Sequence, residues 1–149
     1  MIVGGMMMYR AINLANYILK KCIDDKHPIS NVQLQKILYY LQRESLRRYG
    51  CPLFADVIEA WGFGPCIPNV YYRWCASGVM RITLPFVEEY TPKAKDIPFI
   101  NEIIEKYRDK LPWEMSEFLP ETDSAWAKIW DHTEGNKKEI PWDLIREAG

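Results

Sequence analysis

A chain of 149 residues, 48% apolar and 26% charged, has the composition of a packed globular protein and little room for a second independent core. Its formal net charge of −1 provides no basic field to hold a polyanion, which disfavours nucleic acid as the main partner. No apolar run approaches the roughly 20 residues needed to span a bilayer, so no membrane partner is expected.

The opening stretch, residues 1–8, is apolar but short, and it lacks the basic leader and cleavage site of a signal peptide. With three consecutive methionines, Met6-Met7-Met8, it reads as a disordered or expression-derived N-terminus, and 9–149 as a single domain. The first helix is signalled by Ala11, Leu14, Ala15, Ile18, Leu19 and Cys22, whose spacing lays one apolar stripe along a helix. Asp24-Asp25-Lys26-His27-Pro28 breaks it. The second helix opens on Ser30 and Gln33, the spacing of a capping box, with Ile29 and Leu34 placed as a hydrophobic staple. Leu34, Ile37, Leu38 and Leu41 form its inward stripe, and Gly50 and Pro52 supply the stop.

Val57-Ile58-Glu59-Ala60-Trp61 is too short for a helix and fits a strand, running into a sharp turn at Gly62-Phe63-Gly64-Pro65. Pro68 can begin a short helix carrying Val70, Tyr71 and Trp74 and ending near Gly78. Arg81-Ile82-Thr83-Leu84 is a second strand candidate, free to pair with the first. Helical spacing returns from Pro98 through Ile100, Ile103, Ile104, Tyr107 and Leu111, and Pro112 ends it. Further helices are expected around Trp113 to Leu119, from Ser124 to His132 behind Thr122 or Asp123, and from Pro141. The fold class is mainly α (α+β): a compact multi-helix domain with a small two-stranded β element.

Motifs for chemistry are missing. The chain has no H-E-x-x-H, no G-x-S-x-G and no phosphate loop ending in Lys-Ser or Lys-Thr. Cys22, Cys51, Cys66 and Cys75 lack C-x-x-C spacing, and with only His27 and His132 beside them they outline no zinc framework. Reduced, structural thiols in a cytoplasmic protein are the better reading. A Cys66–His132 pair could be assembled only in space, and nothing local supports it. The expectation is no enzyme, no catalytic residue, no metal and no cofactor.

Candidate contact residues lie elsewhere. Gln35, Tyr39, Gln42 and Leu46 recur along the flank of the second helix in a mixed polar and apolar stripe, as partner-facing surfaces often do. Two readings stay open: a binding shoulder, or a widened core whose glutamines bond a neighbouring loop. On the first, Gln35→Ala should weaken partner binding and leave stability almost untouched. Arg43, with Arg47 and Arg48, invites a nucleic-acid interface, but Glu44 supplies counter-charge on the same face. Glu59 should share a strand face with Val57 and Trp61 as a paired carboxylate, a partner contact or edge solvation. With Trp61, Phe63 and Pro65 it completes the candidate partner-binding set.

The blocks Ala15-Asn16-Tyr17-Ile18 and Ile29-Ser30-Asn31-Val32-Gln33-Leu34-Gln35-Lys36-Ile37-Leu38-Tyr39-Tyr40-Leu41-Gln42 resemble the Panacea domain family of SocA-like antitoxins and GepA-type phage-associated proteins. The likeness continues through Tyr49-Gly50-Cys51-Pro52-Leu53-Phe54, Ile58-Glu59-Ala60-Trp61 and Gly64-Pro65-Cys66-Ile67-Pro68-Asn69-Val70-Tyr71. Ile103 to Tyr107, Trp113-Glu114-Met115-Ser116 and Ala125-Trp126 keep the family's order, so coverage runs from about residue 9 to the end. The resemblance implies a prophage or mobile-element protein that neutralises a cognate protein toxin by direct contact. Some relatives act instead as proteolytic adaptors, and operon self-regulation through DNA is a further alternative. Self-association stays open. One departure is local: where the family commonly reads Ala-Gln-Gly-Trp-His, this chain has Leu41-Gln42-Arg43-Glu44-Ser45, a different surface along that stretch.

Overall fold

The computed structural model describes residues 2–3, 6–110, 122–130 and 137–148. The chain is mainly helical, with two small antiparallel pairs of strands. The first pair joins β1 (Ile2–Val3) to β2 (Met6–Met7), inside the stretch set apart above. Helix α1 (Ala11–Asp24) buries its whole predicted stripe, from Ala11 to Cys22. Arg10 offers its first turn no side-chain cap. Asp56 does so from a distant loop: its Oδ1 accepts the Ala11 N–H at 3.0 Å, and its Oδ2 accepts from Asn69 Nδ2 at 2.9 Å.

Helix α2 (Asn31–Tyr49) begins as its sequence dictates. Ser30 Oγ accepts the Gln33 N–H, Gln33 Oε1 accepts the Ser30 N–H at 2.9 Å, and Ile29 and Leu34 are both fully buried. Gly50 closes the helix in the left-handed conformation, with φ 71°. The middle departs from expectation. A helix on the outside of a domain buries one stripe, but here every residue from Leu34 to Gln42 is buried. Those nine consecutive residues cover every direction around the axis, so α2 is the central post of the fold.

Around it stand α1, α3 (Pro68–Tyr71), α4 (Ile97–Tyr107), α6 (Trp142–Ala148) and the second strand pair. On α4, Phe99, Ile100, Ile103, Ile104 and Tyr107 face the core, and the Tyr107 ring stacks on Tyr40 of α2 with centroids 3.8 Å apart. Helix α5 (Ala125–Ile129) is capped by Ser124, whose hydroxyl accepts the Ala127 N–H, one position beyond the two caps expected. The helix expected around Trp113 to Leu119, the stop at Leu111-Pro112, and His132 lie outside the described residues.

The sheet corrects one pairing. Strand β3 (Glu59–Trp61) pairs not with 81–84 but with β4 (Gly64–Cys66), in the register Glu59–Cys66, Ala60–Pro65, Trp61–Gly64. Gly62 and Phe63 make the turn, and Gly64 adopts φ 131°, open to glycine and costly for other residues. Arg81 and Ile82 pair instead with the approach to α2: Arg81 bridges Ser30, and the Ile82 N–H donates to Ile29 O at 2.9 Å. The other edge of β3 takes residues 138–140, where Ala60 N–H donates to Lys138 O at 2.8 Å and Ile140 N–H to Ile58 O at 2.7 Å.

Candidate functional site

The stripe Gln35–Tyr39–Gln42–Leu46 is sealed inside the monomer. Tyr39 and Leu46 join the hydrophobic core. Gln42, fully buried, uses both ends of its amide on the loop that follows its own helix. Its Oε1 accepts the N–H groups of Leu53 at 2.8 Å and Phe54 at 3.2 Å, and its Nε2 donates to Phe54 O at 2.8 Å. Beside it, Ser45 Oγ donates to Cys51 O at 2.7 Å. Two turns earlier, Gln35 Oε1 accepts the Ile67 N–H at 2.8 Å and its Nε2 donates to Asn31 Oδ1 at 3.0 Å. Asn31 passes the chain on to Tyr71 O at 3.0 Å. Irregular backbone packed against a helix has donors and acceptors that no ladder satisfies, and these side chains satisfy them. Gln35, Tyr39, Gln42 and Leu46 therefore offer no accessible shoulder, and Gln35→Ala becomes a stability variant.

Arg43 is a strut rather than a surface charge. Its Nε donates to Glu44 Oε2, its Nη2 to Tyr107 OH at 3.0 Å, and its guanidinium sits 4.6 Å from the Tyr40 ring centre. Arg48 grips Glu102 through two contacts of 3.1 and 2.8 Å, and Arg47 Nε donates to Arg146 O at 3.0 Å. Each arginine of the basic cluster has a partner within the protein.

The hairpin is different. Glu59 and Trp61 share a strand face as alternation predicts, and Glu59 Oε1 accepts the Trp61 indole N–H at 2.9 Å. Carboxylate and ring hold one another, with Lys137 Nζ above the indole at 4.1 Å. Trp61 packs against Phe63 at 5.9 Å, Tyr71 at 5.0 Å and Tyr72 at 6.0 Å between ring centres. From below, Trp126 Nε1 donates to Trp61 O at 2.6 Å. Trp61 itself is buried, Phe63 and Tyr71 are half-buried, and Tyr72 is 59% exposed, so the cluster grades from core to solvent. Pro65 is fully enclosed in β4 and is not a surface contact.

Four of the predicted residues thus lie on the hairpin, of which Glu59, Trp61 and Phe63 reach its aromatic face. Tyr71, Tyr72 and Lys137 belong to that face and were missed. The Tyr71-Tyr72 doublet closing the Pro68 turn carried a signal for two of them, whereas Lys137 is brought in only by tertiary structure.

The buried thiols Cys22 and Cys66 are not poised for reaction. Burial pushes Cys66 well above the usual thiol range, and the nearby Glu59 carboxylate adds to it. Cys22 rises to about 11 for the same first reason, its burial outweighing the opposing charge of Arg108. Among the described residues, no group of three His, Cys, Asp or Glu side chains could hold a metal ion, and no helix is long and apolar enough to cross a membrane.

Fold and site together define a class: a small helical domain with a braced aromatic face, the middle of its central helix committed to internal support. The chain belongs to the Antitoxin SocA-like, Panacea domain family, which matches residues 34–127, from the first turn of α2 into α5. It is 43% identical over 65 residues to Antitoxin SocA of Caulobacter vibrioides (strain NA1000 / CB15N). That alignment covers 44% of this chain and 35% of the relative, so the similarity spans about a third of the relative's length. No solved structure matches the chain.

Proposed function

We propose that this domain is an antitoxin that neutralises a cognate protein toxin by direct contact, and that the face built from Glu59, Trp61, Phe63, Tyr71 and Tyr72 takes part in the grip. The observation that carries the reading is the gradient across this cluster. A tryptophan fixed by Glu59, Trp126 and Lys137 supports a half-buried Phe63 and a largely exposed Tyr72. Aromatic groups held in place lose little entropy on binding, which is why they recur as anchors of protein interfaces. The family relationship and the name of the similar Caulobacter protein supply the toxin as the kind of partner. The domain works in the cytoplasm, in keeping with four free cysteines, and its gene sits in a prophage or other mobile element.

The test is co-expression with the product of each adjacent gene, scoring growth rescue and co-purification. Wild-type protein should rescue growth and retain one such product. Tyr72→Ala and Phe63→Ala should weaken retention by about 1–3 kcal/mol while keeping the native melting temperature. Failure with every neighbour would overturn the proposal. Following the partner's half-life in the same cells separates simple neutralisation, which leaves its abundance unchanged or raised, from delivery to a protease.

A further inference from the structure

The segment between α3 and α4 begins at the edge of the aromatic face. It holds Tyr72, Val79, Met80, Leu84 and Phe86, which are five of the eight large apolar side chains exposed among the described residues. Scattered apolar residues are ordinary on a surface; this concentration in one stretch is not. The stretch is not a loose loop. Trp74 and Ile82 are buried beneath it, Trp74 Nε1 donates to Phe86 O at 2.8 Å, and Ile82 is bonded to Ile29. Val79 at 87% and Met80 at 69% exposure are therefore held outward on an anchored frame.

The part of the segment that carries these side chains, up to Val87, is one-sided in charge, and Glu88 and Glu89 follow only beyond it. From Ala60 to Val87 the chain has no aspartate or glutamate, and its only cations are Arg73 and Arg81. Among the described residues, ion pairs engage Arg43, Arg47, Arg48, Arg108 and Arg146 but neither of these two. Arg73 lies against the Trp74 ring and donates once, to Phe86 O at 3.3 Å. Arg81 borders a shallow depression with Lys26, His27 and Pro28, and His27 already faces Asp109. Two guanidiniums without counter-ions among the described residues, in the same stretch as exposed methionine, leucine and phenylalanine, fit a ligand that brings carboxylates and apolar side chains together.

We infer that residues 72–86 form a second docking surface, whose occupant is an acidic segment of a partner protein carrying aliphatic or aromatic side chains between its Asp and Glu residues. This rests on the protein-binding reading above and specifies the partner's chemistry, but it can be tested without the toxin. The probe is a library of random peptides displayed on phage and selected on the immobilised full chain, with the enriched peptides resynthesised and titrated by fluorescence anisotropy. Enrichment should favour Asp and Glu interspersed with Leu, Phe or Trp. Affinity should fall as salt rises, and by about tenfold or more in R73E/R81E and in M80S/F86S. R73K/R81K should retain most of it, and each variant is checked for native circular dichroism and melting.

Selection of neutral or basic peptides, selection of none, or binding indifferent to all these variants would overturn the inference. So would binding of the same surface to phosphatidylglycerol vesicles in place of peptides, or self-association through it in sedimentation. Growth rescue that persists in R73E/R81E while peptide binding is lost separates this surface from the toxin contact; loss of rescue alone in Phe63→Ala, with peptide binding kept, points back to the aromatic face.

Discussion

Replacing Gln42 by methionine keeps most of the side-chain volume and deletes three hydrogen bonds at once. The wild-type amide accepts from Leu53 N–H and Phe54 N–H and donates to Phe54 O, all buried. Each backbone group left without a partner costs about 1–3 kcal/mol, and partial relaxation of the loop recovers some of it, so the variant should lose about 3–6 kcal/mol. A domain of this size has about 5–15 kcal/mol to lose, and the melting temperature should fall by roughly 6–20 °C. Urea denaturation is the assay: the midpoint should move down while the slope stays constant, as for a change in native-state stability alone. Gln42→Ala should fall at least as far, since it adds a cavity. A methionine variant within about 1 kcal/mol of wild type would refute the claim that this amide sustains the 51–54 loop.

Gln35→Ala should destabilise by roughly 2–4 kcal/mol in the same assay, because it strands Ile67 N–H and breaks the relay to Asn31. The Arg108 guanidinium, and then Lys21, hold Asp25 below the ordinary carboxylate range. A depressed folded value means that this contribution is complete above about pH 4 and drains away as the pH falls through it. Asp25→Asn should therefore flatten the acid limb of a stability-versus-pH curve: its loss relative to wild type is full and constant through the neutral region and shrinks as the pH falls. Among the four thiols, exposed Cys75 should react first with a thiol reagent in native protein, and Cys22 and Cys66 should label only on unfolding. Fast labelling of Cys66 in the folded state would contradict its burial.

Features encoded in a few neighbouring residues were legible in the sequence. The capping box at Ser30 and Gln33, the buried stripe from Ala11 to Cys22 and the glycine stop at position 50 all depend on local spacing. So did the shared face of Glu59 and Trp61. The pairing of β3 was not legible, because Gly64-Pro65-Cys66 has neither β-branched nor alternating residues. It becomes a strand because a two-residue turn folds it back and α2 packs on it. The glutamines left both readings open, and the structure takes the widened core whose glutamines bond loops, for a related reason. Hydropathy ranks an amide side chain as surface, and it cannot register bare backbone donors outside the helix, which are what draw Gln35 and Gln42 inward. Arg43 was misplaced likewise, since Tyr40 and Tyr107 meet over it only once α4 has docked on α2.

The position of residues 138–140 against β3 has a consequence for synthesis. The hairpin emerges from the ribosome long before its outer neighbour does, so a growing or prematurely ended chain carries the Ala60 N–H and the Ile58 carbonyl without their partners. Any extended peptide, including the same stretch of another nascent copy, can occupy that vacancy until Lys138 to Ile140 arrive. Products truncated before that point should be the ones that clump or are cleared by cellular proteases.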